Sequence, residues 1–419
     1  MKNQVARVLA AVTLATSIFG IFSVSAASEK QEDFVIMWAN ADEAFGEEVI
    51  GMIQEKFPQY NIISKQWSDA TDTDQTVKST FATDNEALDI VMYNNSLSSY
   101  VQNDMALDLT PYLEEMPELK DRFVEGALEG ATNCIDGKVY GLPYSIVYPM
   151  MEANTEILDA AGVEVKSAWT WDEFIDACQK VSENTDAYPI GCQSAWGPWF
   201  AIEAVMQSFE TEEEYLDFCL GNVPFTDERV IGNLDKVVDL YNTYAYPGPG
   251  AISASAEEVD TAFANGKIAM RFDVNSMSKN FVADSGLDVA KVKICSWPSM
   301  ASEGVGSVGD RLLGGNNMLF IPANAKHVDG ALEILEYIFS DEVQNVLQEY
   351  GVVTCVNSGD DGEENVFAQD ASKLASDLIY SHDPEMLTYF GVGEFFGDYI
   401  YDPDLAIETI EDIRENMAQ

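Results

Sequence analysis

The sequence predicts an α/β protein in which mainly parallel sheets are flanked by helices. Three observations lead there. Short apolar runs of strand length alternate with helical patterns along most of the chain, the order that parallel sheets with crossover helices require. A length of 419 residues suggests about two or three domains. A hydrophobic share of 47%, with 11% aromatic, supplies cores for them and argues against disorder.

The elements follow in order. Phe34-Val35-Ile36-Met37-Trp38 is an apolar run of buried-strand type. Val49, Ile50, Ile53 and Phe57 share one face of a helix that Pro58 ends. Ile62-Ile63 predicts a second strand, residues 76–81 a helix, and Leu88-Asp89-Ile90-Val91-Met92-Tyr93 a third strand. Residues 139–147, which hold Gly141 and Pro143, read as an extended connector. Thr170 and Glu173 have capping-box spacing, which predicts a helix from Trp171 to about Ser182. Helical patterns cover 216–220 and 234–244, and Tyr246-Pro247-Gly248-Pro249-Gly250 is a break. Residues 259–264 predict a helix, and 267–272, 292–297 and 318–321 predict strands. A helix over 331–339 follows, and Ser340 is expected to cap another that opens with Asp341 and Glu342. The polar, acidic segment 356–366 reads as a surface linker, and 404–417 as an amphipathic helix.

The beginning of the chain combines Lys2 and Arg7 with an apolar run over 8–24 and ends in Val24-Ser25-Ala26, the pattern of an export signal over residues 1–26. No second stretch of about 20 apolar residues follows, so no membrane span is expected. Work outside the cytoplasm means no supply of ATP or reduced cofactors, and no cofactor is expected. The net charge of -50, from 72 acidic and 22 basic residues, repels nucleic acid and anionic membranes. Six cysteines (134, 178, 192, 219, 295 and 355) form no CxxC pair. An exported chain can form disulfides; Cys178 and Cys192 are the nearest pair in sequence, and the pairing stays open. His327 and His382 are the two histidines, each isolated, which argues against a zinc site and against a Ser-His-Asp triad. The glycine-rich stretch 304–315 lacks the lysine and context of a phosphate loop and reads as a connector.

The more selective signal is aromatic. Trp196-Gly197-Pro198-Trp199-Phe200 sets three rings around a Gly-Pro turn, and Trp38, Tyr93, Tyr144, Tyr148 and Trp297 lie at or near the ends of predicted strands. Ligands of open parallel sheets bind outside the carboxyl ends of the strands. Rings beside Asn and Asp groups suit sugars, whose C–H faces stack on aromatics while hydroxyls take polar partners. For any single ring a place in the core is at least as good an explanation.

Several segments together resemble one known family. They are Leu88 to Tyr93, then Asp136-Gly137-Lys138-Val139-Tyr140-Gly141-Leu142-Pro143-Tyr144, then Trp169-Thr170-Trp171-Asp172-Glu173-Phe174. Phe263-Ala264-Asn265-Gly266-Lys267-Ile268-Ala269-Met270, Gly314-Gly315 and the helices over 331–350 complete the set. Their order is that of extracellular solute-binding proteins of family 1, the maltose-binding-like receptors of ABC sugar importers. The resemblance implies a two-lobe periplasmic-binding-protein (Venus-flytrap) fold, with a solute cleft between lobes joined by three crossings near 144–147, 296–298 and 357–364. The first lobe is expected over 28–144 plus 298–357 and the second over 145–297 plus 358–419. It also implies ligand contacts at Tyr93, Asn94, Trp196, Trp199, Asp273, Asn275, Trp297, Gly314, Gly315 and Tyr389, to which the strand-end aromatics Trp38 and Tyr144 are added as expected contacts. The first cysteine is Cys134, so a lipid-modified cysteine just after the signal is not expected, and the protein is expected to be periplasmic or extracellular.

The reading is therefore a monomeric receptor, not an enzyme, that binds a carbohydrate and passes it to an ABC permease. The acidic balance keeps a cationic solute, a polyamine or a peptide, as a rival, held by carboxylates and cation–π contacts. A secreted glycoside hydrolase is the third reading; with 72 carboxylates in the chain, no catalytic pair can be singled out.

Overall fold

The computed structural model describes residues 31–417 apart from 39–43, 67–69, 84–87, 94–96, 125–126, 133–135, 148, 195, 220, 275–287, 301–311, 351, 353, 357–377 and 381–391. The expected export signal and the acidic linker thus lie outside the described residues. Among the described residues ten strands follow in chain order: β1 (Glu32–Met37), β2 (Tyr60–Lys65), β3 (Ile90–Tyr93), β4 (Gly141–Val147), β5 (Pro149–Asn154), β6 (Tyr188–Cys192), β7 (Ile268–Val274), β8 (Val292–Cys295), β9 (Leu312–Phe320) and β10 (Leu378–Tyr380). They form two sheets. The first has the order β10-β9-β3-β1-β2 with β4 also on β9, and the second the order β6-β7-β5-β8.

Strand direction differs between the sheets. In the first, β1 is parallel to β2 and β3, and β10 to β9, while β9 is antiparallel to β3 and β4. In the second, β6 and β7 are parallel but β5 runs against both β7 and β8. The expectation of mainly parallel sheets gives way in the second sheet for a topological reason. Only residue 148 separates β4 from β5, so the chain enters the second sheet directly from the first, with no helical crossover to reverse it. The stretch expected as an extended connector is thus strand β4 and the way into β5.

The chain changes sheet after Val147, at the end of the expected crossing near 144–147. On its return, Ser296 and Ser299 donate backbone N–H groups to the carbonyls of Ser167 and Trp169, and Met300 N donates to Gln207 Oε1 at 2.6 Å. Residues 296–300 thus stay with the second unit, and the passage back falls after Met300. Val356 still bridges to Phe123, and β10 pairs with β9, so the last departure from the first sheet follows Tyr380.

Local chemistry explains the helices that carry the second unit. Thr170 Oγ1 accepts from Glu173 N, and Glu173 Oε2 accepts from Thr170 N, both at 3.2 Å, so the predicted capping box starts the helix Trp171–Asn184. Its inner face buries Trp171, Phe174, Ala177, Cys178 and Val181. Ser255 and Glu258 make a second such box at the head of the helix Ala256–Ala264. That helix ends in a left-handed Gly266 (φ 69), with Lys267 N donating to Ala262 O at 2.8 Å. Glycine takes this conformation without the steric penalty of a side chain, and the turn feeds straight into β7. Ser340 behaves otherwise. It has the extended backbone of a cap before the helix Asp341–Glu349, but its hydroxyl makes no capping bond.

Two helices close the chain, Val392–Tyr401 and Pro403–Met417. Phe395 packs on Phe225 at 5.2 Å between ring centroids, Phe396 on Tyr241 at 5.7 Å, and Tyr399 Oη donates to Asp235 at 2.8 Å. Cys178 and Cys192 are buried free thiols, so the nearest pair in sequence forms no disulfide. No helix among the described residues is long and apolar enough to cross a membrane.

Candidate functional site

Strand polarity brings one edge of each sheet to the crossing between them. β1 and β3 end at Met37 and Tyr93, and β4, antiparallel to β9, delivers Val147 to the same edge. In the second sheet β6, β7 and β8 run the same way, each ending where β5 begins at Pro149. The carboxyl ends of both sets of strands therefore border the Val147–Pro149 step, the position where α/β sheets hold ligands.

Trp38 follows β1 and is fully buried; its Nε1 donates to Tyr144 Oη at 3.3 Å, the rings meeting edge to face at 5.6 Å. Tyr144 sits where the β4–β9 register slips between Pro143 and Ser145, a bulge that re-aims its side chain. Tyr93 ends β3 and packs on Tyr100 at 5.2 Å. Gly314 pairs with Tyr380 and Gly315 with Val147, which sets this glycine turn at the crossing, inside β9 and not in a loop.

In the second unit the Trp196-Gly197-Pro198 run opens the helix Gly197–Met206, with proline in the first turn where its missing N–H is tolerated. Trp196 is half-buried at the helix head. The backbone of Trp199 lies in the first turn; its side chain is outside the described set. Trp297 is buried and stacks on Phe200 at 4.4 Å with 9° between planes, and it also contacts Trp171. Among the described residues, the buried indole N–H groups of Trp169, Trp196 and Trp297 and the Gln207 amide N–H meet no acceptor. Trp169 opens one of the segments that carry the family resemblance but is not among the expected contacts, and Gln207 lies in none of those segments. Asn94, Asn275 and Tyr389 lie outside the described residues.

Asp273 has a different setting. Its Oδ1 accepts from Val274 N at 2.8 Å and its Oδ2 lies 2.6 Å from Arg271 Nη2. Arg271 Nε donates to Glu152 Oε2 at 2.5 Å, and Nη1 donates to Asp260. Glu152 and Arg271 are directly paired across β5 and β7, and Met150 faces Asp273 in the same register. The carboxylate expected to meet a solute is thus engaged inside the sheet. Burial pushes its pKa up to about 7; Arg271 offsets part of that rise and Glu152 adds to it. Burial also opposes charge on Arg271, but the flanking carboxylates of Glu152 and Asp273 outweigh it and raise the guanidinium pKa. No group of histidine, cysteine and carboxylate ligands able to hold a metal occurs among the described residues.

The comparisons with known proteins agree with this architecture. The family model described as bacterial extracellular solute-binding protein matches residues 48–374. The chain belongs to that family. Among curated relatives of this solute-binding protein is the arabinooligosaccharide-binding protein of Bacillus subtilis (strain 168), 26% identical over 242 residues, or 57% of this chain and 52% of the relative. Its counterpart from Halalkalibacterium halodurans is 27% identical over 158 residues, 37% of this chain and 31% of the relative. The matches thus span about half the length of these relatives or less. Among solved structures, a chitin oligosaccharide binding protein superposes with a TM-score of 0.75 at 18% identity, covering 92% of this chain and 98% of that one. RafE in complex with raffinose gives 0.70 at 17%, covering 92% and 100%. These likenesses show the two-lobe fold.

Proposed function

We propose that this chain is an extracytoplasmic receptor that holds a carbohydrate, an oligosaccharide, between its two units and delivers it to an ABC permease. The observation that carries the reading is the meeting of both sets of strand carboxyl ends at the Val147–Pro149 step; Trp38 and Tyr93 follow or end strands of the first set, Tyr144 lies on β4, and the Trp196–Trp199 helix head follows β6. Family membership and the oligosaccharide named for several relatives support it. The aromatic faces supply stacking area, and the indole N–H groups of Trp196 and Trp297 are donors for hydroxyl oxygens. Gly315 at the crossing, Asn94, Asn275 and Tyr389 complete the proposed contacts. Asp273 is left out of that set because its carboxylate is already held by Arg271 and Val274. Solute touches both units only when they close on it, so its binding energy shifts a hinge equilibrium and no bond is made or broken.

Calorimetric titration with arabinotriose, xylotriose, chitotriose and raffinose tests the reading. One of them is expected to bind, to raise the melting temperature by mass action, and to show little dependence on salt. Trp199→Ala is expected to weaken that binding by about tenfold or more, the scale of losing one stacked ring, with the melting temperature of the free protein retained. Affinity unchanged by Trp199→Ala removes that residue from the site. Binding confined to polyamines, and lost as salt rises, replaces the carbohydrate reading with the cationic one.

A further inference from the structure

The Arg271 cluster has an imbalance that the receptor reading does not use. Three carboxylates, from Glu152 on β5, Asp273 on β7 and Asp260 on the helix Ala256–Ala264, meet one guanidinium. The Asp260 side chain is 32% exposed and shares its charge with solvent, but those of Glu152 and Asp273 are 0% and 2% exposed. Two deeply buried carboxylates thus oppose one buried cation. The neighbouring groups do not correct this. β6 contributes the Cys192 thiol, and the helix Glu228–Tyr244 contributes the Tyr241 hydroxyl behind it; burial raises the pKa of both, so both stay neutral. Among the described residues a second full negative charge here has no cation of its own, and burying it is strongly unfavourable.

The location gives that imbalance a consequence. Asp273 faces Met150, and Val274 faces Pro149, the first residue of the second sheet after the crossing from β4. Glu152 stands two residues further along β5. Whatever loosens the Arg271 cluster loosens the pairing of β5 with β7 at the end that joins the two units.

We propose that the Arg271–Glu152–Asp273 cluster is a proton-operated latch on the crossing strand, in which a proton held by the Asp273 carboxyl keeps β5 tight against β7 and its loss slackens the hinge end of the second sheet. Once opened or unfolded, the carboxyl ionises in the ordinary carboxylate range, whereas in the closed sheet burial delays its ionisation to about pH 7. Stabilisation by the held proton is therefore complete below the ordinary carboxylate range, falls as pH rises towards 7, and changes no further above it. Coupling of this latch to solute retention rests on the receptor reading above; the latch itself does not.

Hydrogen exchange of the whole mature chain tests the latch without any solute. Peptides covering 149–154 and 268–274 are followed at about pH 5 and pH 7.5, corrected for intrinsic exchange, with the β1 peptide as internal reference. In the wild-type chain, opening of β5 and β7 is expected to rise by about tenfold or more over this range, relative to β1. In Asp273→Asn, which holds no titrating proton, the rise should vanish. Glu152→Gln, which leaves Asp273 as the one deeply buried counter-ion, should remove it too; this second variant serves if the first fails to fold. Asp260→Asn should keep it. Equal pH dependence in the wild-type chain, Asp273→Asn and Glu152→Gln, or no rise in the wild-type chain, overturns the proposal. Arabinotriose titration at both pH values separates the two readings. Weaker binding at pH 7.5 in the wild-type chain alone supports the coupling. Tight binding at both with flat exchange overturns the latch and spares the receptor. Normal exchange behaviour with no binding of any sugar probe overturns the receptor and spares the latch.

Discussion

The two units bury charge in opposite ways. In the first, Asp89 is 1% exposed at the head of β3, and its partners are mainly backbone donors: Val35 N gives to Oδ2 at 2.8 Å and His327 N gives to Oδ1 at 3.2 Å. The His327 ring stands between Asp89 and Glu32 and stacks on Phe34. One carboxylate thereby ties β1, β3 and the head of the helix Val328–Ile338 without a buried counter-ion. In the second unit Val274 N supplies Asp273 with one backbone donor, but Glu152 and Asp273 share a single cation, Arg271, reaching across the β5–β7 pair. Main-chain donors cannot leave when a side chain is changed; a guanidinium can. The first arrangement is robust and local, the second strong but conditional.

The sharpest way to break this comparison is Arg271→Met. The substitution strands Glu152 and Asp273 without a cation, and loss of one partner from a buried ionic group costs about 3–5 kcal/mol. Urea unfolding measures it as a fall in the transition midpoint at constant slope. A loss below about 1 kcal/mol would mean that the cluster is solvated and that the two units do not differ in kind. Next comes Asp89→Ala. It leaves the Val35 and His327 amides without their side-chain acceptor, a penalty of about 1–3 kcal/mol. The loss should be smaller than that of Arg271→Met; the reverse order would overturn the contrast.

How much of this was legible in the sequence also divides between the units. β3 was readable as an apolar run because a strand buried on both faces, such as Ile90–Tyr93 with all four residues buried, leaves an unbroken hydrophobic signal, whereas β2, with no fully buried residue, showed only through Ile62-Ile63. The helix Trp171–Asn184 was readable to the residue at its start because Thr170 and Glu173 bond locally. β5 and β6 were not readable. Pro149, Glu152 and Asn154 interrupt β5, and Glu152 is tolerated there only because Arg271 is supplied from β7, more than a hundred residues away. The site shows the same limit. Trp38 and Tyr144 were named from their strand-end positions, but their mutual hydrogen bond and the register shift at Tyr144 are tertiary. Asp273 was named as a solute contact from the family resemblance; that resemblance does not show that Arg271, two residues earlier and on the same face, would claim it. Asn94, Asn275 and Tyr389 lie outside the described residues.

The smallest effect concerns where the second unit ends. If the C-terminal helices are part of its core and not an appendage, a single hydroxyl at their seam should report on global stability. Tyr399 is 1% exposed, its ring lies against Phe395, and its Oη donates to Asp235 on the helix Glu228–Tyr244, which also carries Tyr241 against Phe396. Burial, helped by the Asp235 carboxylate, raises the phenol pKa, so the donor proton stays in place at every pH where the protein is handled. Tyr399→Phe keeps the ring and removes the donor, with an expected loss of about 0.5–1.5 kcal/mol in the same urea transition. For an appendage that frays separately, the main transition would not move and an early, low-amplitude phase would appear instead. A shift of the single main transition would show that the seam is cooperative with the sheet that holds Arg271.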